Sequence, residues 1–427
     1  MKIRAITIGQ NVPFFNRNNE MDVILEEKFP LYTDFNNELI EEFQKQDIIV
    51  ETKRFCSQPI FSENEQSKNE LELNKDVDIL KNQIDLLENK CKEHGFDYFA
   101  CCEALADNIK NIDHLQKPLS IDIPDLLKEK ALFFSSLQVA STEKGINLQA
   151  LKICAKIIKK LSEPDPFQNL KFCVSSNVGS DTPFFPSAYH VSNKPISSIA
   201  LEMADEVVDV FKSSSTLAEA TINLKKRFRE IYDLLTNISE RISKNHDIEF
   251  KGIDFSPAPY PTYEQSIGST LEELGFEYFG AYGSLIAVAI IKNSIPKENK
   301  VIGFSGFMQP VLEDYTIAKR LTEKKFDLHS LLLYSTICGT GLDCVPLPGD
   351  ITERELFYIL LDVCTISITH DKPLTARLMP IPGKIPGDDV EFDFEYFASS
   401  KVMDIRRLVN DNEKDLFNRN EHFFTLF

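Results

Sequence analysis

Apolar positions along the 427-residue chain recur at two periods. Short stretches alternate or run continuously apolar, as half-buried and fully buried strands do. Longer stretches repeat every three to four positions, as amphipathic helices do. The first pattern predicts strands over Lys2–Ile8, Asp47–Arg54, Asp97–Cys101, Leu132–Val139, Leu170–Ser176, Ile248–Phe255, Phe276–Phe279, Lys300–Gly303, Cys344–Pro346, Ser367–His370 and Asp389–Phe394. Helical segments fall between most of them, and such alternation favours parallel sheet joined by right-handed crossovers. Two helices are well specified. In one, Val77, Leu80, Ile84, Leu87 and Cys91 form a stripe that stops at Gly95. The other runs from about Thr216 to Lys244, with Leu217, Leu224, Phe228, Ile231, Leu235, Ile238 and Ile242 on one face and Thr216 and Glu219 as a capping box. That long seam suits a helix packed on its own sheet, with a dimer surface as the alternative. Pro and acidic residues cluster at Ser162–Phe167, which reads equally as a domain boundary or as an αβ loop.

Composition narrows the class. With 43% apolar residues and 32 Phe the chain is globular. Its 66 acidic and 47 basic side chains give a net charge of −19 and no basic stripe, which argues against a nucleic-acid partner. The opening MKIRAITIGQNVPFF lacks an apolar signal core, and the longest apolar run, Ala281–Ile291, is too short for a bilayer, so no membrane association is expected and the location expected is cytoplasmic. Nine cysteines without a C-x-x-C pair read as reduced thiols, and neither a metal nor a cofactor is expected. The Walker, dinucleotide, zincin and nucleophile-elbow motifs are all absent from the sequence.

Glycine is scarce, 16 residues in all, so its clusters mark segments of interest. In STICGTGLDCVPLPGD, Cys338 precedes Gly339-Thr340-Gly341, a turn whose glycines leave room for a ligand and whose amides suit an oxyanion, with Asp343 close behind. In NVGSDTPFFPSAYH, beyond a strand, Asp181 and His190 suit an acid/base pair and Phe184 and Phe185 an apolar wall; a turn aspartate and a buried, satisfied histidine are the alternative. In GIDFSPAPYPTY, Asp254 precedes a proline-stiffened loop. Smaller candidates for ligand contact are Ser141, Thr142 and Asn147 in STEKGIN, Gly283 and Ser284 in GAYGS, Ser305 in GFSGFMQP, and Arg377 in ARLMPIPGK, which would hold a substrate carboxylate or pair with Asp388 or Asp389.

Taken in order, these segments resemble a known family, domain of unknown function number 711, over nearly the whole chain. IRAITIG, KRFCSQPI, FSSLQVASTEKGINL, NVGSDTPFFPSAYH, GAYGSLIAVA, GFSGFMQPVLEDYTIA, ICGTGLDCVPLPGDIT and RLMPIPGKIPGDDVEF follow the family's order. The resemblance implies a pyruvate formate-lyase-like fold: a ten-stranded α/β barrel of two parallel half-sheets running antiparallel to each other, helices outside, as one domain over residues 1–427. It places the Cys338 turn near the barrel interior. Radical chemistry is not implied, because the glycyl radical loop Arg-Val-x-Gly-Tyr has no counterpart here. The chain also departs from the family: His190 is followed by Val191 where a glycine is usual, and Ala140-Ser141-Thr142 stands where Gly-Ser-Thr is usual. The resulting expectation is a homodimeric enzyme acting on a small anionic metabolite, with Cys338 reactive and Asp343, Asp254 or the Asp181/His190 pair assisting. The alternative is a non-catalytic small-molecule sensor or assembly protein on the same fold.

Overall fold

In the computed structural model, residues 1–16, 19–62, 68, 70–337, 339–410 and 414–426 are described. Eleven strands build the central sheet: β1 (Lys2–Gly9), β2 (Lys53–Cys56), β3 (Tyr98–Leu105), β4 (Phe133–Ser141), β5 (Gly145–Asn147), β6 (Phe172–Ser176), β7 (Ile196–Glu202), β8 (Glu249–Ala258), β9 (Gly341–Pro348), β10 (Leu374–Ile381) and a last short strand, Phe423–Phe424, that pairs antiparallel with β5. Their order is β8-β7-β1-β2-β3-β4-β6-β10-β9, with β5 folded back on the end of β4. The five middle strands are mutually parallel. β7 joins β1 and β10 joins β6 antiparallel, and each carries a parallel neighbour, β8 and β9. Two parallel sets thus run in opposite directions within one mixed sheet. The strands are almost wholly buried, which explains their continuous apolar reading.

Helices cover the sheet: α1 (Glu20–Gln44), α2 (Glu70–Glu93), α3 (Ile123–Glu129), α4 (Leu148–Leu161), α5 (Ala204–Ser213), α6 (Leu217–Asn245), α7 (Ile267–Glu273), α8 (Leu285–Ser294), α9 (Tyr315–Thr322), α10 (Leu328–Ile337) and α11 (Glu353–Thr369). α6 buries Leu224, Phe228, Ile231, Leu235 and Ile242 against β8, α1, α5 and α8, so its seam faces its own fold. Thr216 caps it, accepting from the Glu219 amide at 3.1 Å, but the Glu219 carboxylate takes the Ser215 amide at 2.8 Å, so the reciprocal half of the box sits one residue early. The complete box starts α11: the Thr352 hydroxyl accepts from the Glu355 amide and the Glu355 carboxylate from the Thr352 amide. Residues 162–171 run from α4 straight into β6 through the 3-10 turn Pro166–Lys171.

Several expected strands differ. Ser367–His370 lies at the C-terminal end of α11, Phe276–Phe279 is a turn, and Asp389–Phe394 supplies only Asp389–Val390, paired with Ser400–Lys401 away from the central sheet. β7 and β10 were not expected: β7 merges with the apolar pattern of α5, and β10 carries Arg377 and Pro380, which read as loop residues.

The sheet curls. β1 and β10 are five strand positions apart, about 24 Å in a flat sheet at 4.8 Å per strand. Glu313 nevertheless lies 3.5 Å from Arg4 on β1 and 2.8 Å from Arg377 on β10. Residues 301–310 lie between the two sheet ends, with a parallel bridge from Val301 to Ile253 on β8 and another from Pro310 to Asp343 on β9. Among the described residues no helix is long and apolar enough to cross a membrane, and no group of three or more His, Cys, Asp or Glu is disposed to hold a metal ion.

Candidate functional site

The concave side of the curled sheet holds a cavity of about 100 Å³. Its walls are mostly apolar and aromatic, including Tyr98, Phe134, Leu170, Phe184, Phe185 and Met308. Set among them are Arg4, Arg54, Arg377, Glu313 and Asp254. A small apolar chamber with a few polar groups has the build of a small-molecule site.

Two of the three guanidiniums are paired with carboxylates. Arg377 Nε donates to Asp343 Oδ1 at 2.5 Å, and its Nη2 to Glu313 Oε1 at 2.8 Å. Arg4 Nη1 donates to Glu202 Oε2 at 2.5 Å and reaches Glu51 Oε2 at 3.4 Å; Lys2 closes the chain on the same two carboxylates at 2.9 and 3.0 Å. The result is a ladder of ion pairs from β9 and β10 across to β1 and β7. Burial opposes the charge on Glu313, but Arg377 and Arg4 overcome it and hold that carboxyl below the usual range. Burial likewise works against the Arg377 charge and is outweighed by Asp343, Cys344 and Glu313.

Arg54 differs. Its Nε donates to Thr52 Oγ1 at 2.9 Å, its plane lies over Phe185 and Tyr98 with centroids 5.1 and 5.7 Å away, and no described carboxylate comes within 4 Å. Burial, and then Arg4, pull its pKa down to about 10, which leaves it cationic at neutrality. Arg54 is therefore a charged fork in an aromatic setting with its terminal nitrogens open to the cavity.

Asp254 stands on β8, 2% exposed. Its Oδ1 accepts from the Ser256 amide and hydroxyl at 3.0 and 2.6 Å and from the Ser305 amide at 3.0 Å; Oδ2 accepts only the Phe304 amide at 2.9 Å. Burial raises its pKa against those donors. The turn that supplies two of them needs Gly303, where a Cβ would fall 2.4 Å from Asp254 Oδ2. Phe304 on the same turn packs against Phe184, ring centroids 4.7 Å apart.

Of the residues singled out from sequence, Asp254 and Arg377 line the cavity with Phe184 and Phe185, Asp343 backs Arg377, and the Ser305 amide holds Asp254. Arg377 pairs with neither Asp388 nor Asp389: Asp388 accepts the Ile385 amide and Asp389 pairs with Lys401. Asp181 and His190 do meet, Oδ1 to Nδ1 at 2.7 Å, but the ring is fully buried and its Nε2 faces the Lys194 carbonyl at 3.0 Å, so both nitrogens are committed to fixed partners. The remaining candidates stand away from the cavity lining. Asn147 caps α4 through the Ala150 amide, Ser141 accepts the Lys144 amide, and the Thr142 amide is bound by Asn177. Ser284, after Gly283, donates to the Ala281 carbonyl. Gly339 approaches the Phe307 carbonyl and Gly341 the Thr375 carbonyl. Cys338 lies outside the described residues. Arg4, Arg54, Glu313 and Tyr98 were not anticipated. The one signal among them is Arg4, a charge inside the otherwise apolar run IRAITIG.

Sequence comparison decides the family. The model described as "Uncharacterised ACR (DUF711)" matches residues 1–400. The chain belongs to the DUF711 family. It is similar to a "UPF0210 protein" of Oenococcus oeni, 28% identical over 329 residues covering 75% of this chain and 73% of that one. A Pyrobaculum aerophilum relative is 32% identical over 289 residues, 64% of this chain and 62% of its own length. One from Methanococcus aeolicus is 27% identical over 423 residues, covering 92% and 88%. Arg4, Arg54, Asp254, Glu313 and Arg377 all fall within the span that matches the DUF711 model.

Proposed function

We propose that the chain binds a small anionic metabolite in the cavity, with Arg54 receiving the anion. The observation that carries this reading is the contrast among the three cavity guanidiniums: Arg377 is held by two carboxylates and Arg4 by three, whereas Arg54 has none within 4 Å among the described residues. A fork-shaped cation with open donors in an aromatic pocket suits bidentate capture of a carboxylate or phosphate. The ion-pair ladder behind it consumes the other positive charge and keeps the pocket shaped. The same reading takes the sheet as a barrel in which residues 301–310 fill the gap between β8 and β9, each end already bridged to its neighbour.

Melting the protein in a panel of short carboxylates, phosphate and sulfate tests the binding reading. At least one anion should raise the melting temperature saturably, by mass action on the folded state. Arg54→Met should lose that shift while keeping its own cooperative melt. Equal shifts in both proteins, or none in the wild type, would overturn it.

Catalysis through Cys338 is the second reading. What favours it is the state of the other eight cysteines: each is buried, and burial pushes each thiol's pKa up, to about 12 for Cys101, Cys102 and Cys364. None of them is placed to be a nucleophile. Cys338 stands three residues before β9, the strand that carries Asp343.

A further inference from the structure

The cavity holds a second unpaired charge. Asp254 is buried, lines the same chamber as Arg54, and no Lys, Arg or His nitrogen among the described residues comes within 4 Å of it. A buried carboxylate is normally matched by a cation, because its desolvation is otherwise uncompensated. Here all four of its hydrogen bonds come from neutral groups, and three of them crowd onto Oδ1. A carboxylate offers about four lone-pair directions, two on each oxygen. Oδ2, with its single amide donor, therefore keeps acceptor capacity.

The two unpaired charges are set apart by the sheet. Arg54 is on β2 and Asp254 on β8, three strand positions away, about 14 Å along a flat sheet and less across this curled one. The long arginine side chain takes up part of that distance. The strands between them contribute Ala200 and Leu201 from β7 and the carboxylate-paired Arg4 from β1, while Phe184, Phe185 and Met308 add apolar and aromatic wall to the same chamber.

From these placements we infer that the ligand is a zwitterion with separated ends: an ω-amino acid whose carboxylate meets Arg54, whose ammonium meets Asp254, and whose short aliphatic body lies against the aromatic wall. This rests on the small-anion reading above and adds the second charge and its spacing. It accounts for both unpaired charges with one molecule, which a simple anion does not. A purely anionic ligand would leave Asp254 buried beside additional negative charge.

Titration calorimetry with matched pairs tests it: β-alanine with propionate, γ-aminobutyrate with butyrate, δ-aminovalerate with valerate. At least one amino acid should bind about tenfold or more tightly than its deaminated partner, the worth of one charge-assisted contact. Asp254→Asn should erase that advantage, so that no amino acid binds more tightly than its plain acid. The wild-type comparison needs no variant, so it stands even if Asp254→Asn fails to fold. If the plain acids bind and no amino acid outbinds its partner, the inference falls while the small-anion reading survives. If no member binds and Arg54→Met behaves as wild type in the anion panel, both fall.

Discussion

A charge set into an apolar strand is costly unless something answers it, and Arg4, Arg377 and Asp343 answer one another through Glu313. This chemistry was partly legible. Arg377, Asp343 and Asp254 each stand out from apolar neighbours in the sequence, and all three belong to the cavity or its immediate support. Arg4 and Arg54 passed unnoticed because a basic residue near the end of a short strand looks like its solvated terminus. Only the curl of the sheet turns both toward the interior. Another buried charge has a different fate. Glu103 on β3 is fully buried, with Ser135 as its hydrogen-bond partner and Oε2 unpaired, and burial raises its pKa well above the ordinary carboxyl value. The folded state therefore retains a proton that the unfolded state gives up as pH rises past about 4.5, and the native protein loses stability relative to the unfolded by about 1.4 kcal/mol per pH unit until the folded group itself ionises. Glu103→Gln removes that penalty. Urea unfolding should find the variant more stable than wild type at pH 8 and the difference much smaller at pH 5; a pH-independent difference would show that Glu103 is not held neutral.

At the level of elements, periodicity located strands that run through one uninterrupted apolar pattern and lost β7, which merges with α5, and β10, which a charge and a proline interrupt. β10 escapes the periodicity because Arg377 and Pro380 break its pattern; the arginine is buried in the ladder, and the pairing with β9 shifts register there, between Ala376 and Leu378. The end of α11 reads as a strand because Ser367-Ile368-Thr369-His370 alternates polar and apolar positions and carries two β-branched residues, with no Gly or Pro to mark the helix end. The β9–β10 pair also rests on one glycine that the sequence flagged for another reason. Gly341 was singled out as part of a ligand-binding turn beside Cys338; in the fold it has φ of +99°, and a Cβ there would lie 2.1 Å from the Thr375 carbonyl oxygen on β10. Gly341→Ala should therefore separate the two strands and disturb Asp343 and Arg377 together, at a cost of about 3 kcal/mol or more from strain and the weakened buried pair. Denaturant unfolding would register it, and a loss under about 1 kcal/mol would mean that β9 tolerates the side chain.

For the molecule as a whole, composition indicated the globular class and said nothing of the site. The net charge is −19, while the cations of the cavity are a few strand residues gathered inside. Long-range curling cannot be read from local periodicity, so no inspection of the sequence would have joined β1 to β10 through Glu313. The cysteines allow a whole-chain readout of the catalytic reading. With eight thiols buried, alkylation of the native protein at neutral pH should modify a single thiol per chain, Cys338, and all nine after unfolding. Slow labelling with no preferred site would remove Cys338 as a reactive residue.

The central claim is that Arg54 captures a small anion inside the curled sheet, and fluorine NMR of trifluorobutyrate tests it most directly. Wild-type protein should shift or broaden the ligand resonance saturably, and butyrate should reverse the effect by competition; Arg54→Met should leave the resonance at its free position. The same saturable change in both proteins, or none in the wild type at any ligand concentration, would contradict it.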